Sequence, residues 1–382
     1  MKRTNYWLLL GSLLNGFFCQ AQQEVSLRQR AQLLKNLENI SVDQLANKVF
    51  YEQRLYRNPL FGLLEAKQAL SANDSTEYVP LYQGVPIASY QLGTSFRTTI
   101  LSKSERQAYY RANPLRWNQY KFDFRLHPEY MAFFGFREQP FQHKINLLLQ
   151  SQLYLRRGLV LNWGVTFPLV NRLDNEPRSI RPAPIYLNQF LALDNRNYFS
   201  LSAGLFYSHQ YGVNAQYRYT DLTRPWSFGL ETGLTGFYYY PKTFLLYYEP
   251  MKQLLLLADV AYRVMSRDIT IKLSGGQYLY QNRGIRLDFI RQFTNVEIGL
   301  FVSKMSDGTN AGFNFAVPIP PGRIAQTQRA RIRTTEEFRW EYAYSQGNNM
   351  QLLYRVGNQL DALLRQYHHG YLRNQYQLYQ NR

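Results

Sequence analysis

Charged side chains recur at every second position in several segments of this 382-residue sequence, the spacing that places residues on one face of a β-strand. The candidates for function are Lys121, Asp123, Arg125, Asp259, Arg263, Lys272, Arg286 and Asp288. Acidic and basic groups on one face either pair with each other or bind ligands through charge-assisted hydrogen bonds. These residues therefore predict ion pairing or ligand binding.

Catalysis finds no support in the sequence, which has no G-x-S-x-G, Walker loop or H-E-x-x-H motif. Only His368 and His369 are adjacent histidines, and adjacent side chains diverge, so we expect a surface or rim position and no metal site. Gly275-Gly276-Gln277 lies inside a strand pattern, where glycine allows close backbone approach. We therefore predict no enzyme activity and no cofactor.

The clearest element that positions such residues is a hairpin over residues 144–169. Leu159, Leu161, Trp163, Val165, Phe167 and Leu169 share one face, and Val160, Asn162, Gly164, Thr166 and Pro168 share the other. Gly158 supplies the positive φ of a tight turn. Each arm is about 11 residues long, which crosses a bilayer at roughly 3.3 Å per residue and a tilt near 45°. The hairpin is thus predicted to span a membrane.

Residues 1–21 are predicted to be a secretory signal peptide, with Lys2 and Arg3 ahead of an apolar run and a cleavage-like site at Ala21. Cys19 is the only cysteine. A lipidated cysteine normally follows a small residue, whereas Phe18 precedes Cys19, so cleavage after Ala21 is favoured over lipidation.

The composition favours an exported membrane protein that spans with strands. No segment beyond the leader offers about 20 consecutive apolar residues, while 32 Tyr and 24 Phe fit the aromatic girdles of a membrane barrel. The formal charge of +18 falls to +16 when Lys2 and Arg3 are removed (18 − 2). This surplus favours anionic partners such as lipid headgroups or acidic polysaccharide, and export excludes nucleic acid.

Residues 22–78 are predicted to form a small α+β periplasmic unit. Leu27, Ala31, Leu34 and Leu37 recur at helical spacing, Lys48 to Gln53 is strand-like, and Asn58 with Pro59 begins a second amphipathic helix. Residues 71–76 are polar and are predicted to be a linker.

The fold class predicted for residues 79–345 is all-β, a transmembrane antiparallel outer-membrane β-barrel of about 10 to 14 strands. Its irregular spans, 102–118 and 170–184, belong at the rim. Residues 346–382 are predicted to be a C-terminal helical or strand segment, in which Leu360, Leu363 and Leu364 have helical spacing and Gly370 is a candidate C′ residue.

In such a barrel the eight candidate residues must line the lumen, because a base facing lipid at the midplane costs roughly 2 to 4 kcal/mol. Two interpretations stay open: the charges pair and rigidify a filled barrel, or they line a polar path for a chain of sugars. Three further arginines share one face of a strand: Arg329, Arg331 and Arg333. They are interpreted either as a solvated strand edge or as a contact for an anionic sugar.

Residues 273–318 carry a series of glycine-marked strand patterns. They are Gly276, Tyr278 and Leu279; Gly284, Asp288 and Arg291; Ile298 to Phe301; and Gly312 to Pro318. An earlier segment, Tyr51 to Pro59, has the sequence YEQRLYRNP. Together these segments resemble the YjbH-like family of outer-membrane proteins from exopolysaccharide operons, in which Asn is usual where this chain has Gln53. The chain looks like a short member of that family.

The resemblance implies an outer-membrane barrel that assists the assembly or export of an exopolysaccharide. The partners it implies are outer-membrane lipid, an anionic polysaccharide and periplasmic polysaccharide-export proteins. The alternative is a non-conducting structural or docking barrel whose periplasmic unit binds a partner protein.

Overall fold

The structure is a computed structural model that describes residues 30–70, 74–134, 140–242, 245–345 and 358–381. The chain is mostly β, with 57% in strands and 16% helical. The predicted signal peptide and Cys19 lie outside the described residues. Within the described ranges, none of the helices has both the length and the apolar character needed to cross a membrane.

The first part of the described chain folds into a small sheet with two helices, which we call the N-terminal unit. Its elements are β1 (Leu37–Asp43), β2 (Lys48–Gln53), α1 (Pro59–Leu70), β3 (Glu77–Tyr82), β4 (Val85–Pro86), β5 (Ser89–Leu92), β6 (Phe96–Thr99) and α2 (Lys103–Ala112). β2 and β3 pair in parallel across α1, and the other pairs are antiparallel. As predicted, Asn58 caps α1: its Oδ1 accepts a hydrogen bond from the Leu60 amide at 3.0 Å.

The N-terminal unit differs from the prediction in its bounds. The expected end at residue 78 falls inside β3, and β4 to β6, which lie within the predicted barrel range 79–345, belong to the small sheet. Residues 30–34 are helical, but Leu37 begins β1. Residues 102–118, predicted as an irregular rim, contain α2, whose capping box joins Ser102 and Glu105. Alternation could not separate β6 from a membrane strand, because both have period two.

The rest of the chain forms a large sheet. Its strands are β7 (Phe122–Phe134), β8 (Phe141–Arg156), β9 (Leu159–Asn171), β10 (Arg181–Pro182), β11 (Tyr186–Ala192), β12 (Asn197–Leu205), β13 (Gln210–Thr220), β14 (Trp226–Lys242), β15 (Leu245–Tyr248), β16 (Gln253–Val264), β17 (Ile269–Gln277), β18 (Arg283–Gln292), β19 (Glu297–Met305), β20 (Gly308–Val317), β21 (Arg323–Gln326), β22 (Ala330–Thr334) and β23 (Phe338–Ser345). Short 3₁₀ turns lie at Trp117–Gln119 and Leu279–Gln281.

Antiparallel pairing runs as one series through β7, β8, β9, β11, β12, β13, β14, β16, β17, β18, β19, β20 and β23. These thirteen strands, counted over the described ranges, fall within the predicted number. Near the two ends of the series, the ring of Tyr130 on β7 lies 5.9 Å from that of Trp340 on β23, and β22 pairs in parallel with β7.

Two glycines confirm sequence predictions about the backbone. Gly158 turns the β8–β9 hairpin with φ of +73°. Gly276, inside β17, has φ of +139°, and a Cβ there would lie 2.1 Å from the carbonyl oxygen of Leu256 on β16. The glycine inside the strand pattern therefore serves close strand packing, as predicted.

In the large sheet the exposed face is largely apolar, and the buried face is largely polar, with some buried apolar residues such as Tyr198, Leu255 and Leu257. On β19, Ile298, Leu300 and Val302 are 43%, 60% and 45% exposed, whereas Glu297 and Ser303 are buried. The same alternation exposes Leu153, Trp163, Leu201, Val213, Leu230, Leu256, Leu273 and Ile285, and buries Gln150, Asn162, Asn188, Ser200, Asn214, Gln216, Ser274 and Asn310. This is the inverse of a sheet that packs an apolar core against water.

The connections between strands differ at the two ends of the sheet. At one end, which we call the short-turn end, the links after β8, β11, β13, β16 and β18 have two to five residues. The short-turn end also carries the connection 318–337, which contains β21 and β22. The other end, the long-loop end, has links of four, five and two residues after β12, β17 and β19, and it also carries loop 172–184 and the extension of β14 and β15 beyond their neighbours.

β23 stops at the long-loop end, whereas the described part of the C-terminal segment, residues 358–381, reaches the short-turn end. It contains α3 (Leu360–Gln366) and α4 (His369–Gln380). Gly370, predicted as a C′ residue, lies in the first turn of α4. His368, predicted at the surface, is buried, and its Nδ1 accepts from the Gly370 amide at 3.0 Å. His368 thus caps α4, and Nδ1 of His369 lies 2.9 Å from Oγ1 of Thr98.

A charged interior between the chain ends

The eight candidate residues lie mainly on the polar face, and the structure gives ion-pair partners to seven of them. Asp259 pairs with Arg218 at 2.6 Å, Arg263 with Asp268 at 3.1 Å, and Arg125 with Glu336 at 3.2 Å; Arg286 lies 2.9 Å from Asp288 and 2.8 Å from Glu341. Asp123 and Lys272 are described below. Lys121 lies just before β7 and is half-buried; its backbone amide donates to Glu38 at 3.0 Å.

Asp123 is the centre of a cluster that joins the sheet to the N-terminal unit. Its carboxylate accepts from Nε of Arg331 at 2.7 Å and from Nε of Arg333 at 2.9 Å, and Arg54 of the N-terminal unit lies 3.7 Å away. Arg331 and Arg333 are 1% and 3% exposed. For Arg331 and Arg333 the two open interpretations, a solvated edge and a sugar contact, are therefore wrong, whereas Arg329, which was included in the same prediction, is exposed.

Glu38 on β1 extends this cluster into the N-terminal unit. It accepts from Nε of Arg54 at 2.7 Å and lies 3.5 Å from Arg331. Burial alone raises the pKa of Glu38, but the guanidinium groups of Arg54 and Arg331 outweigh burial and lower the pKa below its usual value. The carboxylate therefore stays ionised where the two parts of the chain meet.

Glu297 at the start of β19 binds arginines from three parts of the chain. Arg57 of the N-terminal unit donates at 3.1 Å, Arg339 of β23 at 2.9 Å and Arg365 of α3 at 3.0 Å. The side chains of Glu297 and Arg57 are 0% exposed. A single buried carboxylate thus connects the sheet, the N-terminal unit and the C-terminal segment.

The C-terminal segment lies along the polar face at mid-strand depth. The Leu360 amide donates to Oε1 of Gln216 on β13 at 2.8 Å, and Nε2 of Gln216 donates to the Asn358 carbonyl at 2.9 Å. Lys272 on β17 pairs with Asp361 at 2.6 Å, and each side chain is 8% exposed. This segment therefore occupies interior space that the second open interpretation had assigned to sugars.

The N-terminal unit and the C-terminal helices together cover the short-turn end. Each of the five short links accepts or donates a hydrogen bond: Gly158 with Gln83, Asp194 with Arg106, Leu222 with His369, Met265 with Asn374, and Thr294 with Asn58. Buried apolar residues of both covering parts also share one core with Phe190, Tyr198 and Leu222 of the sheet. We call the two covering parts the cap.

The YEQRLYRNP segment, Tyr51 to Pro59, supplies much of the contact between cap and sheet. Arg54 reaches Asp123, Arg57 reaches Glu297, and Asn58 donates to the Thr294 carbonyl at 2.8 Å. Glu52 accepts from the hydroxyls of Tyr120 at 2.7 Å and Tyr154 at 2.9 Å, and burial raises its pKa above the usual value. The segment thus works as a docking element, with polar groups at positions 52, 54, 57 and 58.

Two clefts remain along β7, β8 and β9 on the polar face. The deeper one is lined by residues that include Asp123, Arg125 and Asn162. The outer one lies near the long-loop end and is lined by residues that include Glu129 and Lys144. Tyr207 borders both clefts, so they lie one above the other.

Sequence reasoning missed several residues that complete this interior. Glu297 shares the inward parity of Gly299, Phe301 and Ser303, so strand alternation already carried a signal for it. Asp361 and Arg365 come from a helix that no strand pattern could place against β17 and β19. The aromatic lining of the outer cleft comes from strand ends and turns, whose positions depend on the assembled sheet.

Comparison with known families gives one match. The YjbH family model, described as exopolysaccharide biosynthesis protein YbjH, matches residues 87–318. The match covers β7 to β20 and begins after the YEQRLYRNP segment. No curated protein and no solved structure matches the chain.

Proposed function

Because the chain belongs to the YjbH exopolysaccharide biosynthesis family, we propose that it is an outer-membrane β-barrel that assists the assembly or export of an exopolysaccharide. The observation that carries this proposal is the inverted large sheet, with apolar side chains exposed and polar side chains buried. Water on the exposed face would leave a continuous apolar surface solvated, whereas lipid matches it. The proposal includes closure of the sheet between β7 and β23, which removes both sheet edges.

The cap supports an orientation with the short-turn end toward the periplasm. Outer-membrane barrels have longer loops outside than in the periplasm, and loop 172–184 and the β14–β15 extension lie at the end opposite the cap. The links at the short-turn end face the cap, and an exported chain leaves a globular cap of this kind on the side from which the barrel inserts. We therefore propose a periplasmic N-terminal unit, available to polysaccharide-export proteins.

Paired charges and the C-terminal segment also favour a second function, a non-conducting docking barrel. The interior groups neutralise one another at 2.6 to 3.2 Å in the pairs of Lys272, Asp259, Arg263 and Arg125. In this second function the barrel anchors the N-terminal unit, which binds the partner. Export through the barrel would instead require the C-terminal segment to move.

A charge on the exposed face tests the membrane assignment. Leu300 is at mid-strand on β19, and Leu300→Arg should cost about 2 to 4 kcal/mol and lower the amount of folded barrel, because it places a base in hydrocarbon. On a water-exposed face the same change costs within about 0.5 kcal/mol. The measurement is the heat-modifiable band on gels of the outer-membrane fraction.

The matched control is Leu45→Arg, since Leu45 lies in a turn of the N-terminal unit and is 102% exposed. We expect this variant to behave as the unaltered chain. Equal yields of folded Leu300→Arg and Leu45→Arg protein, or recovery of the unaltered chain in the soluble periplasm, would rule out the membrane assignment.

Conductance in planar bilayers separates export from docking. The unaltered chain should conduct little, because the C-terminal segment fills part of the interior through Lys272 and Gln216. Removal of residues 346–382 should raise the single-channel conductance if the remaining interior is a path. A closed barrel after this deletion would favour the docking function, and an unaltered chain that is already wide open would contradict the filled interior.

A further inference from the structure

We infer that the outer cleft at the long-loop end binds an uncharged or amine-bearing sugar unit, an inference that rests on the proposed role in exopolysaccharide assembly. The cleft combines aromatic side chains with buried polar groups, the combination that recognises sugar rings and hydroxyls. It opens at the end opposite the cap. A glycan on the side of the membrane opposite the periplasm would therefore contact this cleft first.

The aromatic side of the cleft is built by β14 and the β12–β13 turn. Tyr207, Tyr238 and Tyr240 line it. The rings of Tyr238 and Tyr240 lie 5.8 Å apart, edge to face, and the Tyr238 hydroxyl donates to the Phe206 carbonyl at 2.9 Å. This bonding holds the rings in place, so a sugar face meets a preformed apolar wall.

The polar side of the cleft has no surplus of positive charge. Lys144 and Arg181, 3% and 6% exposed, line it together with Glu129. Lys144 pairs with Asp174 at 2.9 Å and also with Glu176, which Arg181 reaches at 2.8 Å. Both bases of the lining are therefore paired with carboxylates, and Glu129 adds a negative charge to the lining, despite the net charge of +18 on the whole chain. This balance disfavours a uronate and suits neutral or amine-bearing sugars.

The polar groups beside the cleft retain hydrogen-bonding capacity. Nδ1 of His209 and Oδ1 of Asn146 are buried and have no hydrogen-bond partner within the described part of the chain. Nδ2 of Asn146 donates to Glu129 at 2.7 Å, which holds that carboxylate at the cleft. Buried polar atoms are nearly always satisfied, so these groups indicate a missing polar ligand.

The turn that carries Tyr207 is also conformationally strained. Ser208 and His209 have φ of +56° and +59°. Two consecutive positive φ values define a turn that normally selects Asn and Gly. The strained turn ends β12 and β13 below the tip of β14, which opens the cleft to the long-loop end.

Binding of defined tetrasaccharides to the full mature chain in detergent tests the inference. The probes are cellotetraose, a glucosamine tetramer and tetragalacturonate, measured by calorimetry. We expect at least one of the first two to bind, and tetragalacturonate to bind at least about tenfold more weakly. Failure of both non-acidic probes to bind, or tighter binding of tetragalacturonate, would overturn the inference.

The matched variants are neighbours on β14 that face opposite ways. Tyr240→Ala should weaken binding about tenfold, because it removes a ring from the cleft. Tyr240→Phe keeps the ring and should bind as the unaltered chain does, and so should Tyr239→Ala, since Tyr239 is 48% exposed on the outer face. Equal binding by Tyr240→Ala and Tyr239→Ala would place the sugar elsewhere.

Heat-modifiability of each preparation is recorded in parallel. If the chain forms a folded outer-membrane barrel but binds neither non-acidic probe, the sugar site is contradicted and the membrane assignment is not. Absence of the barrel from the outer membrane removes the proposed function itself.

Discussion

Glu297→Gln should destabilise the folded chain by about 3 to 5 kcal/mol, because it removes one partner from a buried ionic cluster. Glutamine keeps the volume and one acceptor oxygen but leaves Arg57, Arg339 and Arg365 without the charge that they share. The side chains of Glu297 and Arg57 are 0% exposed, so water cannot replace the lost interaction. Unfolding in urea, followed by the heat-modifiable band, measures the loss.

Glu337→Gln is the control for Glu297→Gln, because it changes a less buried carboxylate that binds two of the same arginines. Glu337 also accepts from Arg57 and Arg339, at 2.9 and 3.0 Å, but its side chain is 24% exposed and Glu297 remains in the variant. We expect a loss of about 1 kcal/mol. A second measurement tests the contact between Glu297 and Arg365 of the C-terminal segment. Because Glu297→Gln weakens this contact, trypsin should cut the C-terminal segment earlier in Glu297→Gln than in Glu337→Gln. Equal destabilisation by the two changes would mean that Glu297 does not hold the cap.

Arg125→Glu combined with Arg286→Glu should abolish most of the folded chain. At Arg286 the reversal places a third carboxylate beside Asp288 and Glu341, and loss of this pairing alone costs about 3 to 5 kcal/mol. At Arg125 the new glutamate faces Glu336, in a site about one quarter exposed, so the cost there is smaller. The two sites share no partner, so their costs should add.

The control for this pair reverses two exposed arginines at the ends of the same strand, Arg283→Glu with Arg291→Glu. Exposed substitutions usually change stability by about 0.5 kcal/mol or less each, so the control should fold. Surface polysaccharide is measured beside barrel yield. A normal yield of the Arg125 and Arg286 variant with less surface polysaccharide would favour the polar-path interpretation. A normal yield with unchanged polysaccharide would show that these arginines neither stabilise the barrel nor contact the polysaccharide.

Local patterns were enough to predict several elements, because each depends on neighbours in the chain. The β8–β9 hairpin, its turn at Gly158 and the cap of α1 at Asn58 are set by alternation, glycine conformation and side-chain capping. The inward parity of Asp123, Asp259, Lys272 and Asp288 follows from the same period of two. The capping box of Ser102 and Glu105 is also a local pattern, and it begins α2 where an irregular span was expected.

The sequence by itself determined which face of each strand is polar and that the charges on this face need opposite charges or solvent. Only the tertiary structure decided which groups meet, because Glu297 with Arg57 and Lys272 with Asp361 are contacts across 240 and 89 positions of the chain. No local period encodes such distances. The N-terminal unit and the C-terminal segment pack against the polar face and bury its charged residues. A buried charge is tolerated only beside an opposite charge, and the two packed segments supply these opposite charges.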